Sequence, residues 1–203
     1  MELLTPILQA IGLFVATNID DIIVLSLFYA RGAGQRGTTR KILLGQYLGF
    51  GGILLAAVVV SLGARSFLPE AALPYFGLIP LALGLYAAWR AWRNRGDDDD
   101  EDDEAKVAGK QVGVLTVAAV TFANGGDNIG VYVPVFATAS TTAIIAYCLV
   151  FLALVGLLVL AAKYVATRRP IAEVLERWEH ILFPLVLIGL GIVILLEGGA
   201  FGL

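Results

Sequence analysis

The stretch TFANGGDNIGVYVPVF, residues 121–136, places Asn124, Asp127 and Asn128 inside a segment that is otherwise apolar enough for a membrane helix. The rest of the chain is apolar as well. Of its 203 residues, 59% are hydrophobic and 15% are charged, and the mean hydropathy is +0.84. These values predict an integral membrane protein and exclude an ordinary soluble domain.

Six apolar stretches are long enough to cross a bilayer core, which takes about 20 helical residues. They are residues 4–30, 42–64, 73–92, 111–137, 142–166 and 180–200. Backbone groups in lipid must be hydrogen-bonded within their own segment, and the alternating pattern of membrane β-strands is missing. We therefore predict an all-α membrane protein with six transmembrane helices, inserted as a multi-pass protein with membrane lipid around it.

The basic residues predict the orientation of these helices. Thirteen of the fourteen Lys and Arg residues lie in the connections after the first, third and fifth predicted spans, and the exception is Arg65. By the positive-inside rule these three connections are cytoplasmic, so both termini are expected to be external.

A short polar motif recurs three spans apart. TNIDDI at 17–22 aligns with NGGDNI at 124–129 at a constant offset of 107 residues, which pairs Asp20 with Asp127. Each half holds three helices, so the second half must enter the membrane from the opposite side. The pattern predicts two inverted three-helix repeats, as in many secondary transporters.

The chain accordingly divides into a first repeat at 1–93, an acidic cytoplasmic linker at 94–110 and a second repeat at 111–203. The linker contains DDDDEDDE, eight consecutive acidic residues at 97–104. This run is a solvated spacer, a weak collector of cations at the cytoplasmic mouth, or a sign of a saline habitat, and the sequence leaves these alternatives open.

The acidic residues of the two motifs lie near the middle of the first and fourth predicted spans. A carboxylate at that depth costs about 2.5–3.5 kcal/mol if it is unpaired. No Lys, Arg or His lies at the same depth in any span, so Asp20, Asp21 and Asp127 point to a bound cation. Residues three or four apart share a helix face, which aligns Thr17 with Asp20 and Asp21, and Asn124 with Asp127 and Asn128.

A purely structural alternative is that the buried polar residues join helices by hydrogen bonds and bind no ion. It is an equally good interpretation for Thr17, Asn18 and Thr121, of which Thr17 and Thr121 are secondary candidates. Carboxylate and amide oxygens suit manganese, calcium, cadmium or zinc, and ligand chemistry leaves the choice open. The single cysteine, Cys148, is predicted to be a packing residue.

No nucleotide-binding domain is expected, because GAGQRG at 32–37 follows a membrane helix and not a strand. We predict no ATP, no other cofactor and no nucleic-acid partner, so a transmembrane gradient must drive transport. Clustered carboxylates are predicted to hold protons until a metal ion displaces them, which makes protons the expected counter-ion of a metal/proton antiport.

The stretch GQYLG at 45–49 satisfies the GxxxG pattern. It predicts close helix packing within the bundle rather than dimerisation, although a homodimer stays open.

FVATNIDDIIVLSLFY (14–29), together with the stretch at 121–136, resembles the cadmium-resistance transporter family of the lysine-exporter superfamily, and the resemblance spans the chain. It implies a bacterial or archaeal inner-membrane protein, not an enzyme, that exports divalent metal ions, with cadmium as the family's substrate. The acidic run departs from the family pattern. The metal ligands that the resemblance implies are Asn18, Asp20, Asp21, Asn124, Asp127 and Asn128.

Two alternatives remain beside cadmium export. The chain exports another divalent cation (manganese, zinc or calcium), or it is an intramembrane aspartyl protease, a class that also places two aspartates at mid-membrane. The protease motif is incomplete, because Asn124 stands where its first glycine belongs.

Overall fold

The computed structural model describes residues 4–93 and 112–200 of the chain. No strand occurs within these residues, which confirms the all-helical prediction for this part. The predicted linker at 94–110, with its acidic run, lies outside the described residues. The helices are α1 (Leu4–Thr17), α2 (Ile19–Arg31), α3 (Thr38–Phe67), a 3-10 helix (Glu70–Gly77), α4 (Leu78–Arg93), α5 (Val114–Asn124), α6 (Gly126–Thr138), α7 (Thr141–Val165) and α8 (Arg169–Glu197).

Three segments of the described chain are long and apolar enough to cross a membrane: α3, α7 and the stretch Glu70–Arg93 that joins the 3-10 helix to α4. The bent pair α1 and α2 makes a fourth if it counts as one span. These four coincide with the first, second, third and fifth predicted spans. The apolar segments Val114–Asn124 and Phe183–Leu196 fall in the other two and are shorter. Six spans in an inverted arrangement therefore stay a prediction.

Asn18 separates α1 from α2, and the two helices meet at a bend of 55°. The Asn18 backbone leaves the helical region, with φ −131° and ψ 18°. Its side-chain Nδ2 donates to the Phe14 carbonyl at 2.8 Å. That carbonyl would accept a backbone N–H in a continuous helix, and an Asn side chain that competes for it favours a break.

Gly125 interrupts the chain between α5 and α6, two residues before Asp127. Its N–H donates to the Thr121 carbonyl at 3.0 Å and so ends α5. A Cβ at this position would collide with the Ile53 Cδ1 of α3, so any larger residue here would force that buried side chain to move. Beyond the break, α6 stays helical through Pro134.

Helix α3 packs against α5, α6 and α7, while α4 packs against α8 and α7 against α1 and α2. The contact between α3 and α5 is close because of two glycines. A Cβ on Gly45 would lie 2.5 Å from the Val117 Cβ, and one on Gly49 would lie 2.6 Å from the Ala118 carbonyl oxygen. The GxxxG pattern therefore serves packing within the bundle, as predicted.

Arg65, in the last turn of α3, holds the end of α6. Its Nε donates to the Ala137 carbonyl at 2.9 Å and its Nη2 to the Phe136 carbonyl at 2.8 Å, with a further contact to the Ala139 carbonyl. The last carbonyls of a helix have no partner within the helix. Arg65 supplies that partner and fixes α6 against α3.

An aromatic cluster fills the space where α1, α3, α6 and α7 meet. The Phe14 and Phe50 rings lie edge to face with centroids 5.5 Å apart, and the Tyr132 and Phe151 rings lie 4.9 Å apart. Phe50, Tyr132 and Phe151 are fully buried. The cluster gives the polar site beside it a rigid apolar wall.

Candidate functional site

The two helix breaks put acidic residues at the beginning of a helix in each half of the chain. Asp20 and Asp21 lie in the first turn of α2, and Asp127 lies in the first turn of α6. The N-terminus of a helix carries a partial positive charge that stabilises carboxylates. The repeated motif thus corresponds to a repeated local structure, a break followed by an acidic first helical turn.

Asn124, the last residue of α5, joins the two motifs. Its Nδ2 donates to Asp20 Oδ2 at 2.6 Å and to Asp21 Oδ1 at 3.0 Å. Both contacts cross from one half of the chain to the other. One amide therefore holds two neighbouring carboxylates of α2 in a fixed relation to the end of α5.

Gln46 of α3 holds the other oxygen of Asp21, and sequence reasoning missed it. Its Nε2 donates to Asp21 Oδ2 at 3.0 Å, and its Oε1 accepts from Thr121 Oγ1 at 2.5 Å. The Gln46 side chain has no exposed surface, and Asp21 is 3% exposed. The signal that was available is an amide between the two glycines of GQYLG, where the chain is otherwise apolar.

No Lys, Arg or His lies at the depth of the aspartates in the predicted spans. The structure adds two neutral donors to Asp21, the amides of Asn124 and Gln46. Hydrogen bonds to a charged group are worth about 1.5–3 kcal/mol each. They offset part of the cost of burying a carboxylate without neutralising its charge.

Asn18 and Thr17 meet α6 at Tyr132, a second residue that sequence reasoning missed. The Tyr132 hydroxyl lies 2.8 Å from Thr17 Oγ1 and accepts from Asn18 Nδ2 at 3.0 Å. Thr17 Oγ1 also donates to the Leu13 carbonyl at 3.0 Å. In this structure both side chains join helices by hydrogen bonds, which is the purely structural alternative for these two candidates.

Asn128 completes this side of the site. Its Nδ2 reaches Asn18 Oδ1 across a long contact of 3.4 Å, and its backbone N–H donates to Asp127 Oδ1 at 2.9 Å. The Asn128 side chain is 3% exposed, yet its Oδ1 has no hydrogen-bond partner. A buried acceptor without a donor costs about 1–3 kcal/mol, so this oxygen is suited to an electropositive ligand.

All eight candidate residues lie at the two breaks or in the turns beside them. Among the candidates, Asn124 contacts the α2 carboxylates and Asn128 contacts Asn18 directly, whereas Thr121 reaches Asp21 through Gln46. Within residues 4–93 and 112–200, no three His, Cys, Asp or Glu side chains form a group that could hold a metal ion. Amide or hydroxyl oxygens would have to complete any cation site here.

A comparison with known protein families identifies the family of this chain. Residues 14–203 match the family of cadmium resistance transporters, which covers both breaks and every candidate residue. The chain belongs to the cadmium resistance transporter family. No curated protein and no solved structure gave a significant match.

Membership in a family of cadmium resistance transporters indicates a transporter of cadmium or a related metal ion. It disfavours the aspartyl protease alternative, since the family is one of transporters. Together with the long apolar helices, it indicates a multi-pass membrane protein.

Proposed function

We propose that this chain is a gradient-driven secondary transporter that exports divalent metal ions, with cadmium as the main substrate, from the cytoplasm across the inner membrane. The ion binds between the two helix breaks, among the carboxylates and amide groups that both halves of the chain bring together. Two inverted repeats of three spans each surround this site. Both termini are external, and the site is reached alternately from either side.

The observation that carries this proposal is the buried Asn128 Oδ1, which has no donor. The residue before it is Asp127, and the Asn128 side chain contacts Asn18 at the other helix break. A buried acceptor without a donor lowers the stability of the fold unless an electropositive group binds to it. A metal ion at this oxygen would remove that cost, and Asp127 would supply the adjacent negative charge.

The charges favour a dication over a monovalent ion. Asp20, Asp21 and Asp127 carry up to three negative charges, and the hydrogen bonds that Asp20 and Asp21 accept from Asn124 and Gln46 come from neutral amides. Each carboxylate left uncompensated at mid-membrane costs about 2.5–3.5 kcal/mol. A bound dication compensates two of them, and a retained proton compensates the third.

The ligand set is made of oxygen. Carboxylate and amide oxygens bind calcium, manganese, cadmium and zinc, and no thiolate or imidazole adds a preference for a softer ion. Family membership favours cadmium among these. Asn18, Asp20, Asp21, Asn124, Asp127 and Asn128 are the proposed ligands, and Thr17 and Thr121 are secondary.

The site must open as the ion enters. Asn124 Nδ2 now bridges Asp20 and Asp21, so an arriving cation competes with that amide. If the amide turns, its Oδ1 faces the cation, and one side chain changes from donor to ligand. Protons held by the carboxylates leave as the cation binds, which couples metal export to proton entry.

Proteoliposomes loaded with cadmium and a pH-sensitive dye test the proposal. We expect an acidic outer buffer to accelerate cadmium efflux and the lumen to acidify as cadmium leaves. Asp20→Asn, Asp21→Asn and Asp127→Asn should each slow efflux at least tenfold, because each removes one ligand charge and keeps the shape. The control is Glu70→Gln, an exposed acid at the start of the 3-10 helix, which should behave as wild type.

Two results would contradict the proposal. Efflux that is indifferent to the pH gradient, with no proton movement, would refute antiport and leave metal transport. Wild-type efflux in all three aspartate variants would show that the carboxylates are structural and would refute the site itself.

A further inference from the structure

The amide of Gln46 is a buried polar group beside the site that the proposed mechanism does not use as a ligand. It lies in the middle of α3, between Gly45 and Gly49, where α3 comes closest to α5. The close approach brings Gln46 within reach of Thr121 on α5 and of Asp21 on α2. A feature that the sequence explains only as packing therefore places an amide against a carboxylate of the site.

The chemistry of its partners fixes the orientation of this amide. An ionised Asp21 can only accept, so Gln46 must turn its Nε2 toward Oδ2. Its Oε1 then faces Thr121 Oγ1, which donates at 2.5 Å. With both ends engaged and no exposed surface, the side chain has a single arrangement.

The consequence concerns the geometry of Asp21. Gln46 donates to Oδ2 of Asp21. The other oxygen, Oδ1, accepts from Asn124, which also donates to Asp20. If Asn124 turns toward an arriving cation, Oδ1 is released while Oδ2 stays held. Asp21 would then offer one oxygen in a fixed direction and could not rotate to bind the cation with both.

We infer that Gln46 is a positioning residue that presents Asp21 to the metal ion as a single-oxygen ligand and so sets the affinity and ion preference of the site. This inference rests on the proposed metal site. Because calcium accepts carboxylates through both oxygens more readily than the smaller, four-coordinate zinc ion does, an Asp21 without its Gln46 partner should shift the ion preference from zinc toward calcium. Thr121 acts through Gln46 by fixing the amide.

The test is Gln46→Met, which keeps length and apolar volume but has no donor. Cadmium uptake by proteoliposomes of the full chain should show an apparent KM raised about tenfold, equivalent to about 1.4 kcal/mol. The maximal rate should stay within about twofold of wild type. The ratio of calcium transport to zinc transport should rise, which a purely structural role would not produce.

Two further variants keep the test decisive. Ser61→Ala is the matched control, since Ser61 is also fully buried on α3 but bonds only the Val58 carbonyl of its own helix. It should leave KM and ion preference unchanged. Thr121→Val serves if Gln46→Met is poorly inserted, and should raise KM about threefold. Combined with Gln46→Met it should add nothing, because both act on one contact.

A well-inserted Gln46→Met variant with wild-type KM and ion preference would overturn the inference. So would a lower maximal rate at unchanged KM, which means that Gln46 serves turnover or stability. The proposed metal site would stand in the first case if the aspartate variants still lose transport. Wild-type transport in the Asp20 and Asp127 variants would refute the proposed metal site, and this inference would be refuted with it.

Discussion

Replacement of Arg65 by Met removes the cap at the end of α6 that lies opposite the site. The guanidinium satisfies the Phe136 and Ala137 carbonyls, both on residues that are buried. A buried acceptor that loses its donor costs about 1–3 kcal/mol, so these two buried acceptors together contribute at most about 6 kcal/mol. Arg65 itself is half-buried, and water can reach part of this contact. We expect a loss of about 2–3 kcal/mol.

Thermal unfolding of the purified protein in detergent measures this loss. For a chain of this size, 1 kcal/mol corresponds to about 2–4 °C in Tm, so Arg65→Met should melt about 4–12 °C lower. Arg65→Lys keeps the charge but not the fork of donors, so it should lose about half as much. Arg36→Met changes an exposed arginine in the turn after α2 and is the control.

A Tm of Arg65→Met within 1 °C of wild type would refute this reasoning, since it would mean that the two carbonyls are satisfied without Arg65. An equal drop in Arg65→Met and Arg36→Met would also refute it. The effect would then come from net charge and not from the cap.

Two other predictions concern packing and the hydrogen bonds beside the site. Gly49→Leu should prevent stable folding, because even a Cβ there would meet the Ala118 carbonyl oxygen at 2.6 Å, whereas Gly51→Ala has open space and should be tolerated. The amount of monodisperse protein in detergent distinguishes the two, and equal yields would contradict the close contact. Tyr132→Phe should cost about 0.5–1.5 kcal/mol in stability, because Thr17 keeps its bond to the α1 backbone. A loss beyond about 3 kcal/mol in thermal unfolding would mean that the hydroxyl holds more than these contacts.

Some residues of the proposed metal site could be identified from the sequence alone. Asp20, Asp21 and Asp127 stand out because charge in an apolar run is expensive wherever the helix lies. The break at Gly125 was also predictable, since paired glycines weaken a helix locally. These inferences depend on one residue and its neighbours in the chain.

The contacts that shape the site were not predictable in this way. Gln46 and Tyr132 each meet the motifs through helices distant in the chain. In sequence, Gln46 is one amide in a packing motif and Tyr132 is one aromatic residue in an apolar helix. Their roles depend on which helix faces they occupy after packing.

The sequence by itself determined that the chain is a helical membrane protein with two related acidic motifs. It could do so because hydropathy and the need of each backbone group for a local partner are properties of short segments. The tertiary structure decided that Asn124 bridges Asp20 and Asp21, that Gln46 holds the far oxygen of Asp21, and that Asn128 keeps a buried oxygen without a donor. Those facts depend on where each helix breaks and how closely α3 approaches α5, which only the packing of all the helices fixes.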